Sequence, residues 1–131
     1  RQRKISVPLS GGKSGDVEIP QKGDVISITL DPQSGREQMG RRPALVISND
    51  AFNRRVGLAM VCPLTNTARG VPFHLPIPVE TGLTGFVMVE QLKSLDYRQR
   101  GAKRIGRVTA GFLEDVLDIV RACIEDPHDW P

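Results

Sequence analysis

A carboxylate able to carry a proton and guanidinium forks able to hold a phosphate lie close together between Asp31 and Ser48, in DPQSGREQMGRRPALVIS. Glu37 offers the proton acceptor. Arg36, Arg41 and Arg42 offer fixed sets of donors matched to phosphate oxygens. The loop carries two glycines and runs straight into an apolar strand, so its polar groups project from an anchored element. Phosphodiester or phosphoryl chemistry suits these residue types; pairing of Glu37 with Arg42 across a long hairpin accounts for them equally well on the loop alone.

Other chemistries have less to work with. Cys62 and Cys123 are too few and too far apart for a disulfide framework or a CxxC metal pair, and each sits in an apolar pattern that reads as core. His74 and His128, the only histidines, have no ligand-spaced Cys, His or carboxylate neighbours, so no metal site and no cofactor is expected. Hydrolytic work therefore falls to Glu, Asp, Arg, Ser or Thr. Gly12-Lys13-Ser14 resembles the end of a phosphate loop, but Val7 stands where the first glycine is required.

The 131 residues suffice for one core, and no apolar run approaches the roughly 20 residues of a membrane span. Nothing at the basic N-terminus reads as an export signal, so the cytoplasm is the expected location. The net charge of +3 hides a segregation. Residues 91–107 carry Lys93, Arg98, Arg100, Lys103, Arg104 and Arg107 against Asp96, whereas 109–131 carry six acids against Arg121. A solvated face is the ordinary meaning of such a run; a track for a nucleic-acid backbone is the other.

The elements that must position these groups are mostly strands. Residues 1–18, rich in charge, Gly, Ser and Pro, read as a flexible extension, 19–125 as the folded domain and 126–131 as a tail. DVISITL (24–30) alternates as a half-buried strand with one wet face, while ALVIS (44–48) and GLAMVCPL (57–64) read as central strands separated by a turn over 49–55. VPFHLPIPV (71–79) is confined to an edge by three prolines, TGFVMVEQL (84–92) is a buried strand, and 103–108 a short return strand. The convincing helix is C-terminal: Thr109 is the expected N-cap, Phe112, Leu113, Val116, Leu117, Val120 and Ile124 form one stripe, and Glu114 and Asp115 favour its dipole. The fold class is mainly β, a compact barrel or curled sheet of short antiparallel strands with a C-terminal helix.

Four segments in register, PQKGDVISITLDP (20–32), GREQMGRRPALVIS (35–48), VCPLTNTARGVPF (61–73) and VEQLKSLDYRQRGAKRIGRV (89–108), together resemble the MazF/PemK family, the toxin halves of bacterial toxin and antitoxin pairs. The resemblance implies an SH3-like barrel, a homodimer, and metal-independent endoribonuclease activity on single-stranded RNA. It also implies a cognate antitoxin whose disordered acidic and apolar tail covers the basic groove. It carries the catalytic arginine to Arg42, the catalytic threonine to Thr65 and the loop glutamate of some members to Glu37. Arg36, Gln38, Arg41, Asn66, Gln91, Ser94, Arg98 and Arg100 become candidate RNA contacts. Attack of the ribose 2′-hydroxyl on the adjacent phosphorus would leave a cyclic phosphate and a 5′-hydroxyl. Glu37 is the expected base, because a guanidinium stays protonated to about pH 12.

The chain also departs from the family. Ser27 and Tyr97 stand where tryptophan is common, and Val71 where an aromatic is common, so base stacking has fewer platforms. The alternatives are a non-catalytic CcdB-like gyrase-binding toxin, with Trp130 as its exposed anchor, and an inactive RNA-binding relative.

Overall fold

The computed structural model describes residues 18–29 and 40–126. Seven strands, β1 (Asp24–Thr29), β2 (Arg41–Val46), β3 (Ala59–Thr65), β4 (His74–Pro76), β5 (Phe86–Met88), β6 (Lys93–Leu95) and β7 (Lys103–Arg107), make one sheet. Their order is β4-β5-β3-β2-β1-β7, with β6 also paired to β3, and every pairing is antiparallel. Helix α1 (Asp50–Val56) follows β2, and helix α2 (Ala110–Ile124) ends the described chain. This is the expected mainly-β class, a curled sheet of short strands with a C-terminal helix. Among the described residues no helix is long and apolar enough to cross a membrane.

Both faces of the sheet are buried, which is why β2 and β3 read as continuous apolar runs. Val25, Leu45, Cys62, Leu64 and Val87 face α2; Ile26, Ile28, Val46, Val61 and Tyr97 make a second cluster on the other side. β1 accordingly lacks the wet face expected of it. It bulges against β7 between Val25 and Ile26, both essentially fully buried, and Ser27 and Thr29 are half-buried beneath the side chain of Arg41.

The expected turn over 49–55 is instead helix α1. Asn49 Oδ1 accepts from the Phe52 N–H at 2.8 Å, and Gly57 closes the helix at φ 81°. With only two turns it needs tertiary help, and buried Asn53 supplies it. The Asn53 amide donates to Pro20 O and Ser48 O and accepts from Ser48 Oγ, while its backbone carbonyl accepts from the Tyr97 hydroxyl.

The segment expected as one strand over 84–92 is broken. β5 ends at Met88, a 3₁₀ turn occupies Val89–Gln91, and β6 follows. Val61 faces Lys93 and Leu64 faces Val87, so three residues along β3 oppose six along the other segment, and the turn absorbs the excess. The sheet bends there, and the C-terminal end of β3 passes from β6 to β5. β4, which ends on Pro76, lies at the edge as expected.

Thr109 caps α2, accepting from the Phe112 N–H at 3.1 Å, and Val116 is fully buried against the sheet. Residues 121–124 are all exposed because the helix outruns the core. Ile124, at 74 % exposure, therefore does not extend the packed stripe, and Cys123 is not the core residue its pattern indicated. Glu114 and Asp115 fall beyond the first turn, where they do not serve its dipole; Glu114 lies 3.8 Å from Arg121 instead.

Candidate active site

β2 and β3 deliver the central pair. Their register sets Ala44 opposite Pro63 and Leu45 opposite Cys62; continued two residues outward, it sets Arg42 opposite Thr65. Neither Pro43 nor Pro63 has an N–H with which to extend the ladder, so the strand ends open here. Alternation puts Arg42 on the face of Ala44 and Val46, and Thr65 on that of Val61, so both side chains leave the same side. Cβ atoms directly opposite in such a sheet are about 5 Å apart.

Arg42 and Thr65 line one open pocket of about 340 Å³, with Arg41, Asn66, Thr84 and Met88 among its other walls. Arg42 is exposed, and the one hydrogen bond of its side chain among the described residues runs from Nη1 to the carbonyl of Arg41 at 3.3 Å. Thr65 Oγ1 accepts from the Thr67 N–H at 3.2 Å, which orients the hydroxyl and leaves its proton to donate. The pocket thus combines a fixed positive charge and a neutral donor, a set that suits an oxyanion on phosphorus.

Thr84, Gly85 and Met88 escaped the sequence reading. Thr84 Oγ1 donates to Asn66 Oδ1 at 3.3 Å, which turns the Asn66 amide nitrogen away from Thr84. At Gly85, φ is 125° and a Cβ would stand 3.0 Å from the Thr65 carbonyl, so only glycine lets β5 close on the end of β3. The signal was the TGF run itself, a glycine flanked by strand residues.

Arg41 is committed within the protein. Its guanidinium donates to Ser27 Oγ, Thr29 Oγ1, Ser27 O and Gly101 O at 2.8–3.2 Å. Arg100 donates to Thr29 O at 2.9 Å nearby. Gln91, Ser94 and Arg98 are exposed but do not line the pocket; Gln91 Nε2 donates to Glu90 at 3.4 Å. Arg36, Glu37 and Gln38 lie outside the described residues.

One ion-pair geometry was not foreseen. His74 Nε2 lies 2.8 Å from Glu90 Oε2, on a strand whose register sets His74 opposite Met88 of the pocket wall. Partial burial opposes ionisation of Glu90. Hydrogen bonds from His74, from its own backbone and from Gln91, with the His74 charge, outweigh burial and hold the carboxyl below its ordinary value. Cys62, a buried residue of β3, is pushed up to about 12 by burial and by the Glu90 charge, so its thiol is no nucleophile. Tyr97 is buried in the core and bonded to Asn53, which removes it as a surface for stacking bases whatever its ring size.

Residues 21–124 match the family described as PemK-like, MazF-like toxins of type II toxin-antitoxin systems. The chain belongs to this family. Among its MazF-like relatives, the endoribonuclease toxin ChpB of Escherichia coli K12 is 40% identical over 110 residues, covering 80% of this chain and 94% of ChpB. The crystal structure of MazE-MazF from Deinococcus radiodurans superposes with a TM-score of 0.75 at 34% identity, over 82% of this chain and 97% of that one. An endoribonuclease in complex with its cognate antitoxin from a mycobacterial species gives 0.69 at 27% identity, over 86% and 99%. A PemK-like, MazF-like assignment accords with the motif set in the sequence and with the mainly-β fold.

Proposed function

We propose that this protein is a toxin acting as a metal-independent, sequence-selective endoribonuclease on single-stranded RNA. The observation that carries the reading is the meeting of Arg42 and Thr65, from adjacent strands, at one open pocket in a chain of this family. The ribose 2′-hydroxyl attacks the adjacent phosphorus, the P–O5′ bond breaks, and a 2′,3′-cyclic phosphate and a 5′-hydroxyl result. Arg42 neutralises charge on the phosphorane, and Thr65 donates to a non-bridging oxygen. Glu37, from the segment preceding β2, takes the 2′ proton, and the departing O5′ takes a proton from solvent water to become the 5′-hydroxyl. The nucleophile is part of the substrate, so the chemistry needs no metal to generate it. The relatives' names support RNA as the substrate.

The protein works in the cytoplasm, as a homodimer, and an antitoxin whose acidic and apolar tail folds onto the basic surface neutralises it. Incubation of the purified protein with a mixed-sequence RNA in EDTA is expected to release fragments ending in cyclic phosphate. Arg42→Ala and Thr65→Ala are expected to abolish most of that release while leaving the melting temperature close to the parent's. Uncut RNA, or full activity in both variants, would sink the reading. Cleavage complexes trapped with gyrase would instead favour a binding toxin.

A further inference from the structure

We propose that Arg41 is a positioning residue for this site, acting through Arg42, and not a phosphate contact, an inference that rests on the cleavage reading above. A guanidinium has five N–H donors, and Arg41 makes four hydrogen bonds to two separate pieces of the chain, tying both to the strand that carries it. Ser27 and Thr29 belong to β1, Arg41 itself opens β2, and Gly101 lies in the turn between β6 and β7, sixty residues away. Thr29 and Arg41 are also direct cross-strand partners at the two ends of the segment that carries Glu37. The side chain therefore clasps both stems of that segment to the turn before β7.

Three further observations tie the clasp to the reaction. The Arg41 carbonyl accepts the Arg42 Nη1 hydrogen bond, so holding Arg41 sets the backbone from which Arg42 reaches the pocket. The turn is shaped to receive the clasp: Gly101 has φ 59°, and a Cβ there would stand 3.2 Å from Arg41 Nη1. Finally, Ser27 is small enough to let the guanidinium lie across β1. A large aromatic at that position would lack the hydroxyl that accepts from Nε and would occupy the same space, although its carbonyl could still accept from Nη2. Arg41 and Ser27 are thus a matched pair of this chain. One N–H of Nη1 is left over, so a phosphate could take a single bond there, but a two-pronged grip on the Arg41 fork would displace acceptors already in place.

Positioning and phosphate binding predict different kinetics. A phosphate contact contributes to ground-state binding, and its loss raises KM and lowers the salt slope of kcat/KM by about 0.7 for a single strand. A misplaced Arg42 lowers kcat instead, by about 10- to 100-fold for displacements near 1 Å. The experiment measures single-turnover cleavage of a defined RNA strand over a salt series for the parent, Arg41→Lys, Ser27→Ala and the double variant. It also measures the affinity of each for the same strand carrying 2′-deoxyribose at the cleavage position. The expected result is a kcat lower by at least about 10-fold in Arg41→Lys, with KM, deoxy-strand affinity and salt slope near the parent's. A smaller kcat loss is expected in Ser27→Ala, and a double variant little worse than Arg41→Lys.

A raised KM with a shallower salt slope in Arg41→Lys, together with a silent Ser27→Ala, would overturn the proposal in favour of a phosphate contact. A lower melting temperature with unchanged kcat per folded molecule would reduce Arg41 to a scaffold residue. If Arg41→Lys does not fold, Ser27→Ala decides alone, since it removes one acceptor and leaves the carbonyl bonds. A parent that does not cut the strand overturns the cleavage reading itself, and the deoxy-strand affinities still tell whether Arg41 binds phosphate.

Discussion

Thr65 enters the site with one lone pair already engaged by the Thr67 N–H, which leaves its proton to donate to a substrate oxygen. Thr65→Ser keeps that proton and should retain cleavage within a few-fold. Thr65→Val keeps the shape, loses the donor and should cost ~10²-fold in kcat, read by single-turnover assay at unchanged melting temperature. Glu90 makes a different, pH-dependent prediction. Its folded value is lowered, so its contribution to stability is fully present above the ordinary glutamate value of about 4.3 and fades as pH falls through the lower folded value. The unfolded chain takes the proton first. Glu90→Gln should therefore flatten the fall in urea midpoint as pH drops below the ordinary glutamate value, and an unchanged acid slope would refute the assignment. At this scale Arg42 and Thr65 were singled out through the family motifs that carry them, and the register of β2 and β3 brings the two to one pocket. The commitment of Arg41 was not readable: its partners are fourteen and sixty residues distant, and no local pattern announces a cross-strand acceptor.

Among the elements, the junction of β3 and β5 is the least tolerant. Gly85→Ala adds a Cβ against the Thr65 carbonyl in a backbone conformation that L side chains rarely adopt, so it should lower both stability and kcat by disturbing the strand end that carries Thr65. Gly111→Ala offers the opposite sign. It lies in the first turn of α2 with nothing within 4 Å of a new Cβ, and should stabilise by about 0.5 kcal/mol, read as a higher urea midpoint with unchanged activity. Long periodic elements such as α2 and the runs of β2 and β3 were plain in the sequence, since their apolar spacing is set by what they bury. Helix α1 was not. It has no apolar stripe and depends on Asn53 binding Ser48 and Pro20, so only its terminal Asn49 and Gly57 hinted at it. The 3₁₀ turn at Val89–Gln91 was hidden because its residues look like strand and its cause lies in the register with β3.

Over the whole molecule, the basic run of 91–107 is less available than its composition implied. Arg107 bonds to buried Asp24, Arg104 lies 4.0 Å from the same carboxylate, and Arg100 donates to Thr29. Half of the cations that read as a nucleic-acid track are thus engaged in tying β7 and the preceding turn to β1. The fold class followed from many short strands and one terminal helix, whereas this distribution of charge depended on which strand lies beside which. Strand order has a consequence for synthesis as well. β1, made first, lies between β2 and β7, with Asp24 opposite Arg107. The same holds for the Arg41 clasp, which waits for Gly101. A growing chain has Arg42 and Thr65 long before it has the frame that holds them, and at roughly 5–20 residues per second that interval lasts several seconds. A chain that stops before Gly101 lacks β7, α2 and the acceptor that completes the Arg41 clasp, so Arg42 and Thr65 exist there without the full frame that brings them together.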